Sequence, residues 1–190
     1  MPALNALRVD EIPRGTLQSL ACPGVLGMTL LPGKRGTSPW SGTVHARDLD
    51  RDLDDLKALY GTGVLVSLIE PHEYGTWGLT SEHAYREALA ARGFALLGLP
   101  VPDMGTPNQD QLDAWHALVQ DVAARLRRGE AVIVHCLGGL GRTGMLVATV
   151  LARLGLAPEE AVRATRSARP GTIQTRAQER MIHDTPGRHA

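Results

Sequence analysis

The stretch Ala131-Val132-Ile133-Val134 is apolar at every position and runs straight into His135-Cys136-Leu137-Gly138-Gly139-Leu140-Gly141-Arg142-Thr143-Gly144. A short run with no polar alternation reads as a strand covered on both faces, which places it centrally in a parallel sheet. Other segments repeat the theme. Val25 to Leu31 and Gly63 to Leu68 read as strands, as does Phe94 to Leu99. Between them, Leu49, Leu53, Leu56 and Tyr60 share one helical face closed by Gly61, and Ser81 to Arg92 is a helix ended by Gly93. Asn108 with Gln111 resembles a capping box ahead of an apolar face running from Leu112 to Leu126. Helices are also expected from about Thr143 to Leu154, from Pro158 to the break at Pro170-Gly171, and from near Thr175. Strands alternating with helices predict an α/β fold, a three-layer sandwich with a central, mostly parallel sheet flanked by helices. The expected organisation is an irregular lead-in over residues 1–24, one domain over 25–184 and a frayed tail over 185–190.

The segment after Val134 carries the chemistry. Cys136 sits at the carboxyl end of the buried strand, and Arg142 opens the following helix. Gly138, Gly139 and Gly141 let the backbone between them curl and aim successive N–H groups at one point. The helix N-terminus adds donors and positive dipole. The Arg142 guanidinium is a planar fork matched to phosphate oxygens. Such a cradle, formed by Leu137, Gly138, Gly139, Leu140, Gly141 and Arg142, favours a tetrahedral dianion. The same field stabilises a thiolate at Cys136, which makes it a nucleophile facing bound phosphorus. A buried, inert cysteine in a strand-to-helix turn has no need of this arginine, hydroxyl and glycine placement. A nucleotide-binding loop would need lysine before the hydroxyl residue at the helix start, where this chain has Arg142.

The loop matches the pattern H-C-x-x-G-x-G-R-[S/T]-G and resembles the protein tyrosine and dual-specificity phosphatase superfamily. The resemblance implies the cysteine-phosphatase fold, no cofactor, Cys136 as nucleophile and Arg142 as phosphate ligand. It implies that Thr143 hydrogen-bonds the sulfur and helps it leave, and that His135 tunes the thiolate, with a satisfied core histidine the alternative for His135. Leu30-Leu31-Pro32-Gly33, the Pro102-Asp103-Met104-Gly105-Thr106-Pro107 loop, the Gly-Gly-Leu-Gly-Arg core and Ile173-Gln174-Thr175 look like the cyclin-dependent kinase-associated subgroup, from about Val25 to Ile182. Members of that subgroup are compact dual-specificity phosphatases. The chain shows no equivalent of the long phosphotyrosine-recognition insert of tyrosine-specific members, so a shallower pocket is expected.

A leaving alcohol or phenol needs a proton. Asp103 follows a predicted strand, and strand ends gather at the edge where the cysteine loop emerges. A Pro-Asp-x-Gly turn often holds only a solvated aspartate. With the cysteine loop present, Asp103 is the best candidate acid, ahead of Asp110 and Asp113 in the helix beyond. Hydrolysis of a phosphocysteine needs a positioned water, and the Gln174 amide, opening a helix after Pro170-Gly171, can both donate to it and accept from it. Gln178 is a supporting candidate, with a solvent-facing position as its alternative. Arg163, Arg166 and Arg169 read as a solvated basic face. Cys22 reads as a buried thiol. The histidines have no metal-ligand spacing.

Composition bounds the rest. The 190 residues, 43% hydrophobic with zero formal net charge, give no support for a nucleic-acid or membrane-surface role. All of the 20 basic residues except Lys34 and Lys57 are arginine, as in GC-rich bacterial proteins. No apolar run is long enough to span a bilayer, and Met1 to Pro13 lacks a signal-peptide core. Two cysteines suit a reducing cytoplasm, and a monomer is expected.

The predicted activity is therefore hydrolysis of phosphotyrosine, with phosphothreonine or phosphoserine, in phosphorylated protein substrates. The alternatives are a phosphoinositide or small-molecule phosphatase of the same mechanism, a catalytically dead phosphoprotein-binding module, and a rhodanese-type sulfur transferase. Leu137 and Leu140 stand where a polyanionic substrate would call for cations. Lys34 and Arg35, at the end of a predicted strand, are the residues that could fold over the pocket and supply that charge.

Overall fold

The computed structural model describes residues 6–39 and 41–184. In chain order the elements are β1 (Asp10–Glu11), α1 (Arg14–Ser19), β2 (Val25–Thr29), β3 (Arg35–Thr37), β4 (Val44–Ala46), α2 (Leu49–Tyr60), β5 (Gly63–Ser67) and α3 (Pro71–Thr76). Then come α4 (Glu82–Ala90), β6 (Phe94–Gly98), a 3₁₀ turn (Gln109–Gln111), α5 (Leu112–Arg127), β7 (Ala131–His135), α6 (Gly141–Leu154), α7 (Pro158–Ala168) and α8 (Arg176–His183). The main sheet has the order β1-β2-β7-β5-β6. All its pairings are parallel except β1 with β2. The all-apolar strand is in the middle, as its lack of alternation requires, and Val132, Ile133 and Val134 are fully buried.

Register brings the chemistry to one edge. His135 of β7 lies opposite Thr29 of β2 and Ser67 of β5. The segments after β2, β5, β6 and β7 therefore all leave at the carboxyl edge, where open α/β sheets place their ligands. Against the sheet lies α6, packed on β2 and β7 and contacted by α5, α7 and α8. Its Met145, Leu146, Val147, Ala148, Val150 and Leu151 are buried, so the helix is apolar nearly all round, as a core helix must be. Each large side chain there contributes about 1.5–3 kcal/mol of burial, which fixes the helix whose N-terminus forms the cradle.

The N-terminal segment departs from the expected irregular lead-in over residues 1–24. Residues 10–11 extend the sheet as β1, α1 follows, and Leu7, Ile12, Leu17 and Cys22 are core residues. A two-residue strand and a six-residue helix are too short to show a period. The tail over 185–190 lies outside the described residues. A second departure is the β3–β4 hairpin. Ser38, Pro39 and Ser41 of its turn line the cavity above Cys136, so the pocket has a wall where the sequence predicted a shallow opening. Among the described residues no helix is long and apolar enough to cross a membrane.

Candidate active site

Cys136 immediately follows the central strand with 4% of its surface exposed. The amides of residues 137–142 find no acceptor in turns, loops or caps. They are the fixed donors of an anion cradle. The loop takes this path because Gly139 has φ +68°, and a Cβ there would lie 2.2 Å from the Thr29 carbonyl oxygen. On its outer side, Arg169 Nη2 donates to the Gly138 carbonyl at 3.1 Å and Nη1 pairs with Asp10 at 2.5 Å. Arg166 donates to the Thr172 and Ile173 carbonyls. These two arginines fasten the loops around the site; of the trio expected to be a solvated face, Arg163 and Arg166 are exposed and Arg169 is not.

Arg142 is buried. Its Nη1 donates to Glu73 Oε2 at 2.7 Å, Val101 O at 2.9 Å and Leu68 O at 3.3 Å, and Nη2 to Glu73 Oε1 at 3.1 Å. Burial alone disfavours the charged guanidinium. The Glu73 carboxylate, Cys136 and Asp103 outweigh that cost and hold it above its ordinary value. Glu73 itself is anchored by the Glu70 amide, 2.7 Å from Oε2, at the start of α3. Two buried polar atoms at this helix start have no hydrogen-bond partner: Arg142 Nε and Thr143 Oγ1. Buried donors are rarely left unsatisfied without a functional reason. Thr143 is not bonded to Cys136 Sγ in this state.

Asp103 lines the same cavity, about 450 Å³ in volume, together with Cys136, Leu137, Leu140 and Gln174. Its Oδ1 lies 3.0 Å from Arg142 Nη2, with 46% of its side chain exposed. The acid loop is pinned at three carbonyls: Val101 by Arg142, Pro100 by Gln111 Nε2 at 2.7 Å, and Gly105 by Gln178 Nε2 at 3.2 Å. Met104, beside Asp103, and Ile173, beside Gln174, are both non-glycine residues with φ near +59°. Each is a strained backbone position that turns its neighbour toward the cavity.

Gln178 is fully buried, not solvent-facing. Its Oε1 accepts from the Gln174 and Thr175 amides at 2.9 Å and 3.3 Å while its Nε2 holds Gly105. One side chain thus ties the Gln174 turn to the Asp103 loop. His135 is fully buried, and burial, aided by the Arg142 charge, lowers its pKa to about 4 against the raising effect of the Cys136 carbonyl bond. The ring is neutral. Its Nδ1 lies 3.3 Å from the Cys136 carbonyl and must donate there, leaving Nε2 to accept from the Tyr85 hydroxyl at 3.3 Å. His135 therefore fixes the Cys136 backbone and makes no hydrogen bond to its sulfur.

Sequence reading missed Glu73. The only signal was Glu70-Pro71-His72-Glu73, a proline at the first helical position with a glutamate two residues on. Lys34, raised there only as a residue that could reach the pocket, does line it, whereas Arg35 turns away to the Arg47 carbonyl. A larger depression of about 760 Å³ lies at the opposite edge, beside the strand starts Val25, Gly63 and Ala131, away from the cysteine loop.

Comparison with known proteins gives the same answer as the geometry. Residues 45–156, more than half the chain, match the family model described as "Polymorphic toxin system, DSP-PTPase phosphatase". The chain is 28% identical over 174 residues to the rat protein named cyclin-dependent kinase inhibitor 3, covering 88% of this chain and 74% of that one. It is 34% identical over 90 residues to the PRL-1 phosphatase of Drosophila melanogaster, covering 47% and 51%. The crystal structure of kinase-associated phosphatase with its catalytic cysteine replaced by serine superimposes with a TM-score of 0.79 at 22% identity, over 94% of this chain and 93% of that one. The mixed sheet, the cysteine cradle and these likenesses together show that the chain belongs to the dual-specificity, protein-tyrosine-phosphatase-type family of cysteine phosphatases.

Proposed function

We propose that the protein hydrolyses phosphotyrosine, and more slowly phosphothreonine or phosphoserine, in protein substrates through a phosphocysteine on Cys136. The observation that carries this reading is the meeting of Cys136, Asp103 and Gln174 in one cavity floored by the unpaired amides of Leu137, Gly138, Leu140 and Gly141. Before substrate arrives, Asp103 occupies Arg142 Nη2. That half-exposed contact is weak, whereas the Glu73 pair is buried and bidentate, so the Asp103 end yields to the incoming phosphate. The phosphate then takes Arg142 Nε, the released Nη2 and the loop amides.

In the first step the Cys136 thiolate attacks phosphorus, the S–P bond forms, the P–O bond breaks, and Asp103 gives its proton to the leaving oxygen. In the second, Asp103 as carboxylate takes a proton from a water held by Gln174. The new O–P bond forms and the S–P bond breaks, and Thr143 donates to the departing sulfur. A thiolate nucleophile needs a reducing compartment, which supports the cytoplasm.

The test is a side-by-side assay of a phosphotyrosine peptide, a phosphothreonine peptide and soluble phosphoinositides. The expected order of kcat/KM is phosphotyrosine first, phosphothreonine below it and phosphoinositides last. The apolar cavity walls, with Leu137, Leu140, Met104 and Trp77, favour an aryl group. One observation favours the phosphoinositide reading: Lys34 brings a cation to the pocket. A phosphoinositide turned over faster than the phosphotyrosine peptide would replace the protein-substrate assignment.

A further inference from the structure

Lys34 is a buried cation with no counter-ion of its own. The residue is 4% exposed, yet its Nζ makes no hydrogen bond or ion pair among the described residues. It lies over the Trp77 ring, 4.2 Å from the centroid. Its position is built by neighbours. The Lys34 amide donates to Leu31 O and its carbonyl accepts from Arg47 N. The preceding Gly33 amide donates to Asp52 Oδ2 at 2.8 Å, and Asp52, buried on α2, is gripped by Arg47 through both carboxylate oxygens at 2.7 Å. Gly33 itself must be glycine: at φ +74°, a Cβ would lie 2.8 Å from Leu49 Cβ. The stem is buried while the ammonium tip stays open to the cavity, where an incoming anion can reach it.

The charges facing it say which anion. Burial lowers the Lys34 pKa, and Cys136 and Asp103 oppose that, so both lie within electrostatic reach across the cavity. His45 of β4, edge-on to Trp77, is held below its ordinary value by burial and then by Lys34 and Arg47, so it stays neutral and is no charge partner for Lys34. Arg142 is already balanced by the bidentate Glu73 carboxylate. Lys34 is thus the cation of this pocket with no carboxylate paired to it among the described residues, facing Cys136 and Asp103 across a cavity that must hold a thiolate and a phosphate dianion together.

We infer that Lys34 is a second ligand for the reacting phosphate, gripping the dianion through Nζ while Arg142 holds it through Nε and Nη2. This rests on the phosphocysteine reading for its place in the cycle, but its test does not require turnover. Binding of inorganic phosphate is measured by calorimetry in the wild-type protein and in Lys34→Met, Lys34→Gln and Lys34→Arg. Loss of one charge-assisted hydrogen bond predicts roughly tenfold or greater weakening in Lys34→Met. Lys34→Arg keeps the charge and stays within a few-fold of wild type. Lys34→Gln, with a polar tip, provides the same readout if the methionine variant does not fold. In peptide hydrolysis the loss falls on KM and kcat/KM for every phosphomonoester alike. Phosphate affinity unchanged in both neutral variants would overturn the inference. So would a loss confined to substrates bearing a second anionic group, which would make Lys34 a neighbouring subsite. Failure of the mechanism itself shows elsewhere, as turnover by Cys136→Ser.

Discussion

Cys136→Ser abolishes turnover of every phosphomonoester while leaving phosphate-analogue binding largely intact. The reason is the division of labour in the loop. The amides of residues 137–142 and the Arg142 guanidinium make the cradle, and none of them depends on the sulfur. Serine is smaller and uncharged, so the cradle survives and only the nucleophile is lost. Steady-state hydrolysis of an aryl phosphate and calorimetric binding of tungstate check the two halves separately. Turnover near the wild-type level would place the nucleophile elsewhere. Loss of binding along with turnover would mean that the thiolate is itself part of the loop's structure.

Asp103→Asn lowers kcat/KM by roughly 10²–10⁴-fold for a substrate with a poor leaving group, the usual worth of a positioned general acid. The loss shrinks when the leaving phenol is already acidic, because such an oxygen departs without a proton. Removing the Asp103 charge also weakens its contact with Arg142 Nη2 in the empty enzyme, so phosphate binds no more weakly, and KM does not rise with the fall in kcat. Hydrolysis rates across phenols of graded acidity give the comparison. An equal loss for good and poor leaving groups would make Asp103 a structural residue of its loop.

Much of this was legible in the sequence because the signals were local. Leu49–Tyr60 forms a helix as its apolar spacing and Gly61 stop required, and the apolar run before His135 is the central strand. The Asn108–Gln111 capping box forms, although it caps a 3₁₀ turn that leads directly into α5. What could not be read is tertiary. Glu73 looks like a surface carboxylate on a six-residue helix, and its partner Arg142 is brought to it only by the closing of the sheet. Arg169 meets Asp10 from the far end of the chain, which no spacing rule registers. The hairpin of β3 and β4 is three residues a side and mostly exposed, so it carries no hydrophobic alternation to announce the pocket wall. Gln178 reads as a polar helix residue. Only its contacts with the Gln174 amide and the Gly105 carbonyl reveal it as a clamp.

The covalent intermediate is the central claim, and Gln174→Ala is the variant that exposes it. Gln174 lines the cavity with Cys136 but touches neither the Arg142 fork nor the Asp103 proton, so its loss slows phosphocysteine hydrolysis more than formation. Product then appears as a burst followed by a slow phase. The decisive measurement is mass spectrometry of acid-quenched Gln174→Ala during turnover of an aryl phosphate, with peptide mapping of the adduct. The account predicts one phosphate per chain, on Cys136, in step with the burst. An unmodified protein through the slow phase, or a phosphate mapped to any other residue, would contradict it.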